Sequence, residues 1–566
     1  MDRFEARKAV VEKLREDGML LKEEDYTTRL GFSQRTNAVV EPRISTQWFV
    51  KMKELAGKAL ETVVTGEVKI HPEERFLATY KYWLENVKDW CISRQLWWGQ
   101  RIPAWYDAEG RFVVALTESE AKQEFNKQFA ISNAQLKQDE DVLDTWFSSW
   151  LWPIEVFNGI TQPNNPDINY YYPGSVLVTG QDIIFFWVAR MIMAGEEYMN
   201  QKPFEHVYFT GMVRDKQGRK MSKQLGNSPD LLKLVDNYGA DAVRFGILIS
   251  APAGNDLLFD ESSCDQGKFF ANKLWNALKL IKMLALRQAQ DDSQSAMSDQ
   301  QPVSFAVEWF ENRLNQVKAE VEEQYKNFKL SEALKTIYSL IWDDYCSWYL
   351  EWIKPGFEQP IGPEVYQKTA YFFEQLVQLL HPFMPFVTEE IYHRLKKQEE
   401  DLCVKQFESI ATADTSLLKQ GELLKQTISA IRDVRVKNNI KPKEAITLHI
   451  QAEEKEFDSI LSILQKQLNT DRINFVKEAV SNTITTVIGA IKFYIETEQQ
   501  LDTGAQKEQM QKELVYQQGF LLSVEKKLNN ERFVQNAKPE VVDAERKKKS
   551  DAEEKIKALE ESLAGL

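Results

Sequence analysis

Gly218-Arg219-Lys220-Met221-Ser222-Lys223-Gln224-Leu225-Gly226-Asn227-Ser228 is the stretch on which the fold turns. It follows a strand-like run at 205–209 and leads into a helix start, with Ser228 as N-cap, Pro229 at the first helical position and Asp230 in the first turn. A Gly-containing loop between strand and helix lies where parallel α/β sheets put their sites. Two lysines on such a loop, Lys220 and Lys223, suit delivery of ammonium groups to a polyphosphate. Nucleotidyl transfer builds negative charge on the α-phosphate and the leaving pyrophosphate, and positioned cations stabilise it. For a bare Lys-x-x-Lys the bland alternative is a solvated basic turn.

Working outward, residues 46–260 are dense in Trp and Tyr and mix strand-like runs, 175–179 and 205–209, with helical patterns. That alternation implies a parallel α/β sheet. Helical periodicity dominates from 262 to about 395, as at 305–330 and 365–380, with a Gln-, Asp- and Ser-rich loop at 288–301, and this reads as a bundle. A smaller α/β piece follows at 411–496, with strands expected at 445–450 and 490–495. Residues 1–45 read as a short helix and turn-rich, strand-like pieces such as 36–40, the end of a domain. In the tail, Met510, Leu514, Gln517, Leu521, Val524 and Leu528 alternate spacings of four and three, and Ala552, Ile556, Leu559 and Leu563 resume the pattern after 529–539. Two helices joined by a loop there would form an antiparallel coiled-coil hairpin.

Bulk properties narrow the classes. At 566 residues several cores are required, and neither a run of about 18 apolar residues nor a secretory leader is present, so no membrane partner is expected. Cys91, Cys264, Cys346 and Cys403 lie far apart with no Cys-x-x-Cys pair. They read as free thiols of a reducing cytoplasm, and no metal site is expected. A formal charge of −14 requires any nucleic-acid contact to come from local basic patches. One candidate is Arg432, Arg435, Lys437, Lys441 and Lys443, which reads equally as a phosphate contact or a solvated face. The other is the tail, where Lys526, Lys527, Arg532, Lys538, Arg546, Lys547, Lys548 and Lys549 gather near one end.

The lysine loop resembles the Lys-Met-Ser-Lys-Ser signature of class I aminoacyl-tRNA synthetases, here Lys220 to Gln224, with Gln224 replacing the last Ser. Ser45-Thr46-Gln47-Trp48-Phe49-Val50-Lys51-Met52, Trp90-Cys91-Ile92-Ser93-Arg94-Gln95-Leu96-Trp97-Trp98-Gly99, Asp141-Val142-Leu143-Asp144-Thr145-Trp146-Phe147-Ser148-Ser149 and Thr179-Gly180-Gln181-Asp182-Ile183-Ile184-Phe185-Phe186-Trp187-Val188-Ala189-Arg190 extend the similarity, which fits the valine branch of that family. The resemblance implies an α/β Rossmann-like catalytic half (46–262) after the end of an editing domain (1–45). A helical anticodon-binding bundle (263–410), a small α/β junction (411–496) and a coiled-coil tRNA arm (497–566) would follow.

It further implies catalytic roles for Lys220, Met221, Ser222 and Lys223, ATP contacts by Lys223, Gly180 and Asp182, and a valine pocket of Trp146, Asp182, Ile183 and Trp187. Contacts to tRNA would come from Arg432, Arg435, Lys526, Lys527, Arg546, Lys547, Lys548 and Lys549. The expected partners are valine, ATP with Mg2+, and tRNA-Val, in an enzyme that is monomeric when whole.

The family's His-Ile-Gly-His signature is not found, since none of His71, His206, His381, His393 and His449 has a histidine three positions away; His71 and His381, each followed by Pro, read as structural. The chain is therefore expected to begin inside the enzyme, without the catalytic part of the editing domain, and to be inactive alone. A non-catalytic tRNA-binding protein or split half is the rival reading. An isoleucine enzyme is disfavoured by Ile183, the tail and the lack of zinc-type cysteines.

Overall fold

Lys69–His71, Gly174–Gly180 and Phe204–Thr210 form a parallel sheet with Phe204–Thr210 in the middle. The order follows from composition: Val207 and Phe209 of the central strand are fully buried, whereas Val176 and Val178 on the edge strand are exposed. The expected strands at 175–179 and 205–209 each gain one residue at either end.

The computed structural model describes all residues except 1, 34–35, 42–43, 223–224, 252–253, 291–300, 356–360, 397–399, 497–502, 538 and 565–566. It divides the chain into two units, Met1–Gly57 with Asn86–Trp152, and Lys58–Glu85 with Pro153–Leu566. The segment expected as one catalytic half, 46–262, is thus shared between them.

In the first unit, Ala104–Tyr106 pairs antiparallel with Phe112–Val114 and Lys137–Gln138, and the helix Glu118–Phe129 covers this small sheet through Ala121 and Phe125. Thr117 and Glu120 start that helix with a reciprocal capping box. The strand expected at 36–40 is reduced to a single bridge, Phe32 to Val39, because Asn37 takes a left-handed φ of 55° and turns the chain back.

In the second unit one hydrophobic core runs from Phe245 to Ile495. It joins the helices Ser262–Gln290, Gln301–Lys326 and Pro363–Leu380 to the helix Thr415–Lys437 and to a four-stranded sheet containing Ile446–Gln451 and Ile491–Glu496. The bundle and the smaller α/β piece therefore share their packing. Gly421 shows why: a Cβ there would lie 2.0 Å from the Trp309 indole nitrogen, so only glycine lets the helix Thr415–Lys437 approach the fully buried ring. Besides Phe245 and Ile249 in that core, two polar side chains of the helix Ala240–Ile249 grip the bundle. Asp241 accepts from the N–H groups of Phe386 and Val387 (3.3 and 2.6 Å), capping Pro385–Leu395, and Arg244 donates to the carbonyls of Pro382 and Phe383. Burial raises the Asp241 pKa in spite of these bonds.

The tail helices Thr503–Leu528 and Pro539–Ala564 run antiparallel, tied by Lys555 to Glu513 (2.8 Å) and Lys549 to Glu525 (2.9 Å). The expected connecting loop contains a short helix, Glu531–Asn536, because Asn530 accepts from the Phe533 N–H and starts another turn. Met510, Val524, Ala552 and Leu559 are buried as the spacing required, but so is Glu545, an acidic residue inside the seam. Among the described residues no helix is long and apolar enough to cross a membrane.

Candidate active site

The lysine loop hangs from the C-terminal end of the sheet. After Phe204–Thr210 the chain forms the short strand Val213–Arg214, pairs Arg214 with Lys220 by a single bridge, and closes the turn between them on Asp215. The Asp215 carboxylate accepts from the backbone N–H groups of Gln217 and Arg219 (3.1 and 2.9 Å) and from the Arg219 guanidinium, a local Asx-type arrangement. Asn227 then returns to the same carboxylate: its amide donates to Asp215 Oδ2 (3.0 Å) and to the Lys220 carbonyl, while its oxygen accepts from the Ser222 N–H (2.9 Å). These bonds, the Asn227 amide first, hold Asp215 down to about 2. The loop is therefore pinned at both ends across a surface cavity of about 490 Å³ lined by Asp215, Lys216, Arg219, Met221, Asn227 and Glu261.

Within the loop the expected residues separate by role. Lys220 reaches Asp182 at 3.7 Å, both side chains half-exposed, which brings the loop to the end of Gly174–Gly180. Ser222 accepts from the Leu225 N–H through its hydroxyl and so shapes the turn. Met221 anchors the loop: its side chain packs on the cluster of Leu234, Val243, Phe259 and Cys264. Lys223, with Gln224, lies outside the described residues. The helix start is corrected, since the helix begins at Leu231 with Asp230, not Ser228, accepting from the Leu232 N–H as N-cap.

Gly180 leaves the Asp182 carboxylate room where it stands, since a Cβ at 180 would lie 2.8 Å from Asp182 Oδ1 and push it aside. Beyond Asp182 the backbone winds into a turn of 3-10 helix and then the π-helical Ile184–Val188, which puts Ile183 and Trp187 four residues apart on one half-buried face. Asp256 escaped the sequence reading. It accepts from the Met212 N–H, the Gln181 amide and the Arg214 guanidinium (3.0, 3.1 and 2.5 Å), joining the strand end, the loop base and the chain beyond the loop, and the Arg214 bond lowers its pKa. No local spacing announces it; only the fold brings 181, 212 and 256 together.

Trp146 stands in the first unit, half-buried on the helix Thr145–Ser149, whose N-cap Asp144 accepts from its N–H. There three of the quoted strings converge. The Trp48 N–H donates to Ser93 Oγ (2.6 Å), Gln95 donates to Gln47 and Asp141, and Arg94 pairs with the buried Asp144.

Of the basic residues, Arg435 is corrected. Its guanidinium is buried, donating to the carbonyls of Lys441, Glu444, Leu468 and Asn469, so it ties the helix end to the sheet and offers no surface charge. Arg432 is exposed and bonds Gln467. In the tail, Lys548 and Lys527 pair with the buried Glu545 (2.7 and 3.7 Å), Lys549 with Glu525, and Arg546 with Asp543. Lys526 and Lys547 are exposed with no ion pair among the described residues.

The sheet, the pinned lysine loop and the facing aspartate are matched by a family model for tRNA synthetases class I (I, L, M and V) over residues 10–260, with the anticodon-binding domain of tRNA ligases matched over 307–452. Over those residues the chain matches the class I aminoacyl-tRNA synthetases. A model of the valyl tRNA synthetase tRNA binding arm covers 502–566, and curated relatives across the whole chain are valine–tRNA ligases. Those of Parabacteroides distasonis and Bacteroides thetaiotaomicron are each 48% identical over 100% of this chain and 64% of their own length. The chain thus spans 64% of the length of the relatives it matches. A solved Mycobacterium tuberculosis methionyl-tRNA synthetase in complex with methionyl-adenylate aligns with a TM-score of 0.46 at 19% identity, over 64% of this chain and 65% of that one.

Proposed function

We propose that the chain carries the loop side of the activating site of a valine–tRNA ligase, in which valine and ATP form valyl-adenylate with loss of pyrophosphate. The valyl group then passes to the terminal adenosine's 2'-hydroxyl of tRNA-Val. The observation that carries this reading is the approach of Lys220 to Asp182 from a loop pinned by Asn227 at the end of a parallel sheet.

The valine carboxylate attacks the α-phosphate, the bond to pyrophosphate breaks, and the charge gathering on the phosphates is met by Lys220 and Lys223. Asp182, with Gly180 leaving it room, is placed for the substrate ammonium or the ribose hydroxyls, and Ile183 and Trp187 supply apolar wall for the branched side chain. ATP enters with Mg2+ carried on its phosphate oxygens. The tail acts as a coiled-coil tRNA arm through Lys526 and Lys547, and Arg432 adds a phosphate contact. The whole enzyme is taken to be cytoplasmic and monomeric.

The test joins this chain to the part of the Parabacteroides distasonis ligase that it does not span and measures amino-acid-dependent pyrophosphate exchange. Exchange with valine, weaker with threonine and at least about tenfold weaker with isoleucine, is expected, as a steric pocket discriminates by 1–3 kcal/mol per methylene. A preference for isoleucine would overturn the assignment.

A further inference from the structure

One helix of the bundle, Pro385–Leu395, gathers imidazole and carboxylate groups that the activating reaction does not use. Glu389 and His393 are one turn apart on it, and Asp401 comes up beside them. His393 Nε2 lies 3.2 Å from Glu389 Oε1 and 3.0 Å from Asp401 Oδ1. The Glu389 carboxylate is aimed by the Leu402 N–H, which donates to Oε1 at 2.7 Å.

A second histidine faces the other oxygen. His381 Nε2 is 3.8 Å from Glu389 Oε2. The other ring nitrogen is occupied: His381 Nδ1 is 2.8 Å from the hydroxyl of the fully buried Thr388, which also lies 2.8 Å from the Met384 carbonyl, and this leaves Nε2 as the nitrogen facing Glu389. Nε2 is then the ring nitrogen turned toward the carboxylate, placed to meet a cation shared with it.

We propose that Glu389, His393 and Asp401, with His381 in reach, form a zinc site on the bundle. Two donors about 2.0–2.1 Å from a tetrahedral zinc stand roughly 3.3 Å apart, close to the separations here. Two imidazoles with carboxylates suit zinc better than magnesium or calcium, which favour all-oxygen sets. On binding, His393 presents the Nε2 lone pair to the zinc and carries its ring proton on Nδ1. The Leu402 N–H and the Thr388 hydroxyl orient the ligands from outside. The site fastens Asp401 to the helix that Asp241 caps. It escapes a search built on cysteine spacing because its ligands come from a helix turn, a helix end and a later loop.

The test titrates zinc chloride into the full chain and into His393→Ala and Cys403→Ser, the exposed thiol nearby being the competing ligand. The wild type and Cys403→Ser are expected to bind one zinc more per chain than His393→Ala, Glu389→Gln should bind at least tenfold more weakly, and occupancy should fall as acid protonates the imidazoles. Should His393→Ala fail to fold, as judged by helicity, the exposed Asp401→Asn carries the same comparison. Equal zinc stoichiometry in wild type and variant, or loss in Cys403→Ser alone, would overturn the proposal.

Discussion

Lys220 Nζ stands 3.7 Å from Asp182 Oδ2, across 38 residues of sequence, and both side chains remain half-exposed. Exposed pairs contribute little to stability, so this contact matters for where it puts the ammonium group.

In the joined enzyme, Lys220→Met should therefore lower kcat for valine-dependent pyrophosphate exchange by roughly 10²-fold with little change in KM for valine, the pattern of a contact made in the transition state. Asp182→Asn should instead raise KM for valine or ATP. Steady-state kinetics of both variants make the comparison, and identical profiles would refute separate roles.

Asn227 holds the loop shut. Asn227→Ala should raise the Asp215 carboxyl from about 2 toward the ordinary carboxylate range, because the amide is the main cause of the depression. Carboxyl-carbon NMR titration reads the shift directly, and the loop should become several-fold more sensitive to limited proteolysis. An unmoved Asp215 would assign the depression to Arg219.

His71 provides a pH test. Burial first, then His206, whose Nδ1 lies 2.9 Å away, lowers its pKa from 6.5 to about 4. Between those values the unfolded chain binds a proton that the folded chain refuses. Stability is thus full above 6.5 and declines as pH falls toward 4. His71→Gln should flatten that decline by up to one proton per molecule in denaturant midpoints measured from pH 4 to 7.

The tail lysines divide into two groups. Lys526→Ala with Lys547→Ala should leave helicity unchanged and reduce the slope of log tRNA affinity against log salt by about 1.4–1.8, at 0.7–0.9 per phosphate contact. Lys548→Ala with Lys549→Ala should loosen the helix pair, since Glu545 and Glu525 lose partners. Salt-dependent binding and circular dichroism separate the effects, and equal behaviour of the two doubles would remove the distinction.

Local rules made the elements legible. The strand-like runs at 175–179 and 205–209 and the four-three spacing of the tail reappear as strands and paired helices because each is decided within a few residues. The groups that assemble the site were harder to read. Asn227 meets Asp215 across twelve residues, and Asp256 meets Gln181 across 75, so neither has a sequence period to betray it. Arg435 misled for a related reason: a basic residue at a helix end reads as surface charge until the carbonyls of residues 441–469 are seen to surround it. Glu545 was hidden by its own lysines, which looked like a free patch while two of them neutralise it.

The grip of Asp241 and Arg244 on residues 382–387 bears on stiffness. Their helix also carries Val243, part of the cluster on which Met221 rests. Bundle and lysine loop are thus fastened to opposite sides of one ten-residue lever, with hydrogen bonds on one side and packed side chains on the other. A load that tilts the bundle is passed along this route to the footing of Lys220.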